Sequence, residues 1–549
     1  MAASKNQNYL HGAAILAVSV VIIKILGAIY KIPLGNILGK EGFGHFNVAY
    51  NIYNVLLALS TAGLPIAVAR MISSANNLGK PVQVKKIFKT ALLSFAVLGA
   101  VGSLVLYLFP VDLSMLLRDP KASQSVAALA PAVVLVCILS AFRGYTEGFS
   151  DMRPTAVSQV IEVAGKIAVG LSIALMLQRQ GASITLQSAG AMTGTIAGSL
   201  LACIFMGSAV VRRRKYEESL LQLRPRDELD MSSDGSGHIL KTFIKIGIPI
   251  ALGSCVSSII ALVNTGLINN RLQDAVGFTS DRASELFGIY SMSLTFYNLP
   301  SALLVPLTIS IIPAIAGYRA QKNIDASRTV IESSIRITTI LALPMAVGMS
   351  VLSTPIMYGA YYNSLGKDGA LAGTLLAIMG ITSFFVCIVA ISTAALQAGG
   401  LERLPMINML IGGGLNIVFT WVLLGNKELN IFGSAIGSLI SYFIMCVLNL
   451  MFLIKYMPER PKLGKALFKP ILNCAVMGAA AWIVYPAALE LLNAGPEPGR
   501  MTTLLALGAS VTVAVLVYGV MTISTKAITL DDLKLLPKGE KIAKLLHVK

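Results

Sequence analysis

Acidic residues are scarce in this chain. It has 26 Asp and Glu against 44 Lys and Arg, and charged residues make up only 13% of its 549 positions. A water-soluble domain carries about a quarter charged residues. With 55% hydrophobic residues and a mean hydropathy of +0.75, the composition excludes a soluble domain and points to an all-α polytopic membrane protein. Histidine is nearly missing: His11, His45, His238 and His547 are the only four, and no two have ligand spacing. No metal or other cofactor is therefore expected. The six cysteines (Cys137, Cys203, Cys255, Cys387, Cys446, Cys474) lie in apolar runs without a C-x-x-C, which excludes a disulfide framework. Paired acids or a nucleophile–base set on an outer connection are also lacking, so an enzyme is not expected. The net charge of +18 comes without any nucleic-acid motif. It reads as topological bias plus contact with anionic lipid.

Long apolar runs are what the chain has in abundance. Fourteen are long enough to cross about 30 Å of hydrocarbon. They lie near 10–34, 44–70, 88–110, 124–146, 155–178, 183–211, 240–266, 284–317, 329–358, 369–398, 404–425, 430–455, 467–493 and 501–524. The first is read as a retained helix, because its apolar run is long, is broken by Lys24 and lacks a small-residue cleavage site. With both termini on the cytoplasmic side, 32 of the 44 Lys and Arg fall on inside segments and nine outside. That asymmetry obeys the positive-inside rule. The expected organisation is an N-lobe over 1–211, a polar cytoplasmic linker over 212–239, a C-lobe over 240–456, and two extra helices with a cytoplasmic tail over 457–549.

The lobes echo each other. "FGHFNVAYNIYN" (43–54) aligns without gaps with "FGIYSMSLTFYN" (287–298), an offset of 244. "GFSDMRP" (148–154) aligns with "GGLERLP" (399–405), an offset of 251. Six spans per lobe make the repeats parallel, related by a pseudo-two-fold axis along the membrane normal, as in carriers that rock two bundles about a central site.

Several residues have no place in hydrocarbon unless they face water or a partner. Lys24 and Lys31 are seven apart on one face of the first span. Each either snorkels outward or lines a wet cavity that receives an anion; lysine, a hydrated point charge, suits a mobile phosphate. Asn47, Asn51 and Asn54 form a polar stripe on the second span, either as cavity lining or as interhelical glue. Arg70 closes that span as an anchor or a ligand. Glu162 and Lys166, spaced i,i+4 on the fifth span, read as a mutual ion pair, or as a group that takes up a proton or cation during transport. The second lobe has no deep acid; Asn264, Asn408 and Asn416 are its deepest notable polar groups. The buried charge is thus net positive and concentrated in the first lobe, which favours an anionic cargo.

At "FRGYTEGFSDMRPTAVSQVIE" (142–162) and "YNVLLALSTAGLPIAVARMIS" (53–73) the chain strongly resembles the polysaccharide-transport branch of the multidrug/oligosaccharidyl-lipid/polysaccharide exporter superfamily. Within it the similarity points to the Gram-positive group of stage V sporulation protein B and the MurJ-type lipid II flippases. The resemblance implies fourteen helices, a cavity that opens to either side, and export of undecaprenyl-pyrophosphate-linked saccharide across a bacterial cytoplasmic membrane. It implies a polyprenyl-linked glycan and bilayer lipid as partners, a monomer, contact with cell-wall synthesis enzymes, and coupling to membrane potential, Na+ or H+. It places Lys24, in "KILG", where MurJ-type flippases have a cavity arginine, and a second first-helix cation at Tyr30 or Lys31. Two further family arginines fall near Leu57–Ala58 and Leu294–Thr295, which are not basic here. A cation-coupled multidrug antiporter of the same superfamily is the alternative; it is expected to need cavity acids.

Overall fold

The computed structural model describes residues 2–222, 230, 232–461, 463–493, 495 and 498–528, with side chains from Val18 onward apart from scattered positions. The expected cytoplasmic tail beyond residue 528 lies outside these. Every element among the described residues is helical. The chain begins with α1 (Ala2–Ala58), a single π turn, α2 (Leu64–Asn77), α3 (Pro81–Leu108) and the short α4 (Pro110–Leu116) and α5 (Ser123–Ala128). It continues through α6 (Ala130–Gly148), α7 (Arg153–Arg179), α8 (Ile184–Gln222), α9 (Ser236–Asp274) and α10 (Ser280–Ala320). Then follow α11 (Ile324–Val351), the short α12 (Ser353–Ala360) and α13 (Tyr362–Leu365), and α14 (Gly369–Ala398). The last are α15 (Arg403–Leu424), α16 (Phe432–Tyr456), α17 (Leu463–Leu491) and α18 (Arg500–Ser524).

Eleven helical runs among the described residues are long and apolar enough to span a bilayer, or twelve with the pair Ser236–Ala251 and Cys255–Asp274, bent by 54°. The fourteen-span reading differs by two. The run Val18–Asn77 has 60 residues, about 90 Å if straight, and folds back at Gly39, whose φ of 68° and ψ of −179° only glycine adopts cheaply. Lys166 Nζ proves the reversal. It lies 5.6 Å from the ring centroid of Tyr30 and 4.0 Å from that of Tyr50, residues that a straight helix would hold about 30 Å apart. The other difference is α10, 41 residues long, which includes side chains outside the described set.

Contacts divide the chain into one unit of Met1–Gln273 with Phe278–Gly288 and another of Asp274–Gly277 with Ile289–Lys549. Two expected boundaries shift. The linker expected over 212–239 is helical to Gln222, because α8 runs on past the membrane. The expected start of the C-lobe at 240 moves to about 289, because α9 packs on the first unit: Asn51 Nδ2 donates to Thr265 Oγ1 at 2.9 Å, and Asn269 Nδ2 to the carbonyl of Leu117 at 3.0 Å.

Within the first unit the first repeat echo has a physical cause. A methyl on Gly44 would collide with the carbonyl oxygen of Ser284, and one on Gly288 with that of Lys40. Both pairs obey the offset of 244, so the two segments pack reciprocally about a local two-fold through glycines that must stay bare. The second echo shifts by one residue. Its left-handed positions are Ser150 (φ 60°) and Gly400 (φ 73°), and α7 and α15 begin at Arg153 and Arg403, an offset of 250.

The second unit is knotted by amides. Asn408 donates to Asn449 Oδ1 at 2.8 Å, and Asn449 Nδ2 reaches Ser392 and Thr393 hydroxyls at 3.1 and 3.0 Å. Asn416 donates to Ser438 at 3.1 Å. These are interhelical bonds of the kind that hold membrane bundles together. Helices α17 and α18 close on each other through Ser510, which donates to the carbonyl of Ala481 at 2.8 Å, and reach α11 through Tyr518, whose hydroxyl donates to that of Ile340 at 2.9 Å.

Candidate functional site

The site is built on the packing of α7 against α8. Gly190, Gly194 and Gly198 recur every fourth residue on α8, so one face has no side chains and lets α7 approach backbone to backbone. A methyl at Gly198 would collide with the carbonyl oxygen of Glu162, and one at Gly194 would lie 2.5 Å from that of Lys166. The backbones of the two charged residues therefore touch α8.

Glu162 does not pair with Lys166. Its Oε2 accepts from Arg143 NH2 at 2.9 Å, and its Oε1 from Ser199 Oγ at 3.4 Å. Arg143 Nε also donates to Ser158 Oγ at 3.1 Å. The expected i,i+4 ion pair is thus replaced by a cross-helix pair between α6 and α7. Arg143 is a buried residue inside α6, five positions before the helix ends. Its place in "FRGYTEG", directly before the α6–α7 turn, is the signal that could have found it.

Lys166 is left with aromatic neighbours. Its ammonium sits over the Tyr50 ring and near the Tyr30 ring, contacts worth about 0.5–2 kcal/mol each. Lys31 follows Tyr30 on α1, whose ring centroid is 5.6 Å from the Lys166 ammonium. Among the described residues no carboxylate lies within 4.0 Å of either ammonium group. The buried hydroxyls of Tyr30 and Tyr53 have no hydrogen-bond partner among the described residues either. Tyr53 packs against Tyr50, ring centroids 6.0 Å apart. Buried polar atoms are nearly always satisfied, so the orphaned Tyr30 hydroxyl near the Lys166 ammonium is a place where water or a ligand is expected.

The remaining candidates separate. Lys24 is exposed on α1, about 10 Å along the helix from Lys31. Asn47 is buried and donates to the carbonyl of Phe43 at 2.7 Å. Asn51 is committed to Thr265, and Asn54 is half-buried. Arg70 is exposed near the end of α2, away from the lysine pair along the chain.

The all-helical, multi-spanning fold and the likenesses that follow define the class: a carrier of the multidrug/oligosaccharidyl-lipid/polysaccharide exporter superfamily, of MurJ and stage V sporulation protein B type. The chain belongs to the polysaccharide biosynthesis protein family, which matches residues 9–319. It is 25% identical over 540 residues to an uncharacterised membrane protein, YabM, of Bacillus subtilis (strain 168), covering 98% of this chain and 96% of that one. It is 23% identical to stage V sporulation protein B of the same organism, covering 86% and 89%. To the lipid II flippase MurJ of that organism it is 24% identical, covering 86% and 88%. Its fold matches a solved structure of lipid II flippase MurJ in the inward closed conformation with a TM-score of 0.69 at 15% identity, over 93% of this chain and 99% of that one.

Proposed function

We propose that this protein carries an undecaprenyl-pyrophosphate-linked saccharide, a lipid II-like precursor or another polysaccharide repeat unit, from the inner to the outer leaflet by alternating access. The polyprenyl tail stays in the bilayer, so the barrier is the transfer of an anionic, sugar-bearing headgroup through hydrocarbon. A hydrated cationic site removes most of that cost. The observation that carries the reading is Lys166, an ammonium with no carboxylate within 4.0 Å among the described residues, set over the Tyr50 ring and near that of Tyr30, whose buried hydroxyl is orphaned and whose chain neighbour is Lys31. Lys31 and Lys166 bind the pyrophosphate and Lys24 adds charge on the cytoplasmic approach. Tyr30, Tyr53 and Asn54 supply hydroxyl and amide contacts to the head. Sitting in the cytoplasmic membrane with both termini inside, the protein works with an inside-negative potential that pulls the anion outward and the emptied cationic site back.

A drug and cation antiporter would need a free interior carboxylate, and Glu162 is spent on Arg143. The test is a flippase-depleted strain complemented with variants, together with flipping of the lipid-linked substrate in proteoliposomes. Lys24→Ala, Lys31→Ala and Lys166→Ala should each insert normally and lose transport at least tenfold, and the arginine replacement at Lys24 should largely retain it. Full complementation by the lysine-to-alanine variants would remove the assignment.

A further inference from the structure

The "GFSDMRP" turn is a sequence motif that the carrier site does not use. It forms the floor of a separate cavity of about 670 Å³ at the cytoplasmic end of the first unit, also lined by Ser73 and Asn76 of α2 and Arg213 of α8. We propose that this cavity is a cytoplasmic docking site for the phosphorylated sugar head of the lipid, occupied before the head reaches the lysine pair. The proposal rests on the carrier reading above and deepens it.

The turn is rigid before any ligand arrives. The amide of Ser150 donates to the carbonyl of Glu147 at 2.8 Å, and the amide of Arg153 to Asp151 Oδ1 at 3.3 Å. A methyl on Gly148 would lie 2.7 Å from the Ile72 side chain, which pins the turn to α2. Ser150 holds a left-handed conformation at φ 60°, whereas the matching turn of the second unit places Gly400 there. That conformation costs roughly 1–2 kcal/mol outside glycine, so the turn alone does not account for a serine. Ser150 lines the cavity.

The lining suits a sugar phosphate. Arg213 stacks 4.7 Å from the Phe149 ring centroid, is held by Glu217 at 2.6 Å, and keeps a buried Nε–H with no partner among the described residues. Arg153 is exposed at the start of α7. No described carboxylate lies within 4.0 Å of its guanidinium, since the Asp151 contact uses its backbone. Asn76, Ser73 and Ser150 are lining residues whose side chains are of the polar type that hydrogen-bonds sugar hydroxyls, and the volume lies within the usual 300–1,000 Å³ or so of small-molecule sites. Along α7, Arg153 and Lys166 are thirteen residues apart, about 20 Å along the axis, so a head that leaves the turn has about four helical turns to travel to the deep site.

The test uses the full chain in nanodiscs carrying Lys31→Ala and Lys166→Ala, so the deep site is silent. The probe is a short-chain prenyl pyrophosphate linked to an N-acetylhexosamine, titrated calorimetrically. Binding should persist there, weaken at least tenfold on adding Arg153→Ala or Arg213→Ala, and weaken about threefold with Ser150→Gly while thermal stability is kept or raised. No binding in the lysine-silent background, or binding unmoved by both arginine variants, overturns the proposal. Competition by a soluble sugar nucleotide with none by the lipid-linked form also overturns it, since the site would then take a free phosphate ester. Flipping assays on the lysine variants alone test the carrier reading, so the two fail separately.

Discussion

A charge inside a membrane is defined by what lies within a few ångströms of it, and Arg143 shows how far that departs from sequence spacing. Glu162 and Lys166 stand one turn apart, yet the carboxylate turns to Arg143 and the ammonium to two tyrosines. In the proposed carrier, Arg143 is a positioning residue: by holding Glu162 at 2.9 Å, it would leave Lys166 to the anionic head. Removing one partner of such a pair costs about 3–5 kcal/mol. Arg143→Ala should therefore lower the melting temperature of the purified protein and reduce flipping, because Glu162 then neutralises Lys166. Adding Glu162→Gln to Arg143→Ala should recover much of the flipping. If the double variant is as inactive as the single one, Arg143 does more than hold the acid.

Among the elements, α8 carries two separate functions along its length. Inside the membrane its bare glycine face sets the position of α7. Gly198→Ala should displace the Glu162 backbone, destabilise the protein by more than 2 kcal/mol or so, and reduce transport, with thermal melts and flipping assays as readouts. Gly207→Ala, whose added methyl would meet only the Phe142 ring at 3.8 Å, should do neither. Past the membrane the same helix reaches α3 through Lys85 and Glu218 at 3.0 Å, and the segment beyond it docks nearby through Lys80 and Asp230 at 2.8 Å and Gln83 and Asp234 at 2.7 Å. The hydrogen bond from Lys80 holds the Asp230 carboxyl well below the usual carboxylate range and raises the lysine in turn. A depressed carboxyl stabilises above its ordinary value near pH 4, and a raised ammonium stabilises below its ordinary value near pH 10. The clamp should therefore hold unchanged between about pH 5 and 9 and loosen in molar salt, where exposed pairs are screened. Hydrogen exchange over 230–235 at varied pH and salt checks both.

Over the whole molecule, the two repeats share their turns but not their charges. At the offset of 250 set by the left-handed residues, Arg143 corresponds to Thr393 and Glu162 to Gly412. Thr393 accepts from Asn449, and Gly412 lies against Met445, so neutral packing stands where the first unit has its ion pair. This inequality fits an anion held mainly by one half. An inside-negative potential contributes about 2.3 kcal/mol per 100 mV for each charge moved. Flipping in proteoliposomes should then accelerate several-fold under such a potential and fall back on adding an ionophore. Indifference to potential would mean that no net charge crosses.

Composition alone made this an all-helical membrane protein, because hydrocarbon admits only backbones that satisfy themselves, and helices do so within each segment. Run lengths came within two of the helical runs, among the described residues, that are long and apolar enough to span a bilayer, and the glycine of the first echo marked a real close approach. The partners of Lys166 and Glu162 were not legible, because spacing along a helix says which residues share a face and nothing about which helix lies opposite. Only the fold-back at Gly39, the bare glycine face of α8 and the approach of α6 decided that. They brought together residues distant in the chain, and that juxtaposition set Glu162 against Arg143 and Lys166 over two tyrosine rings.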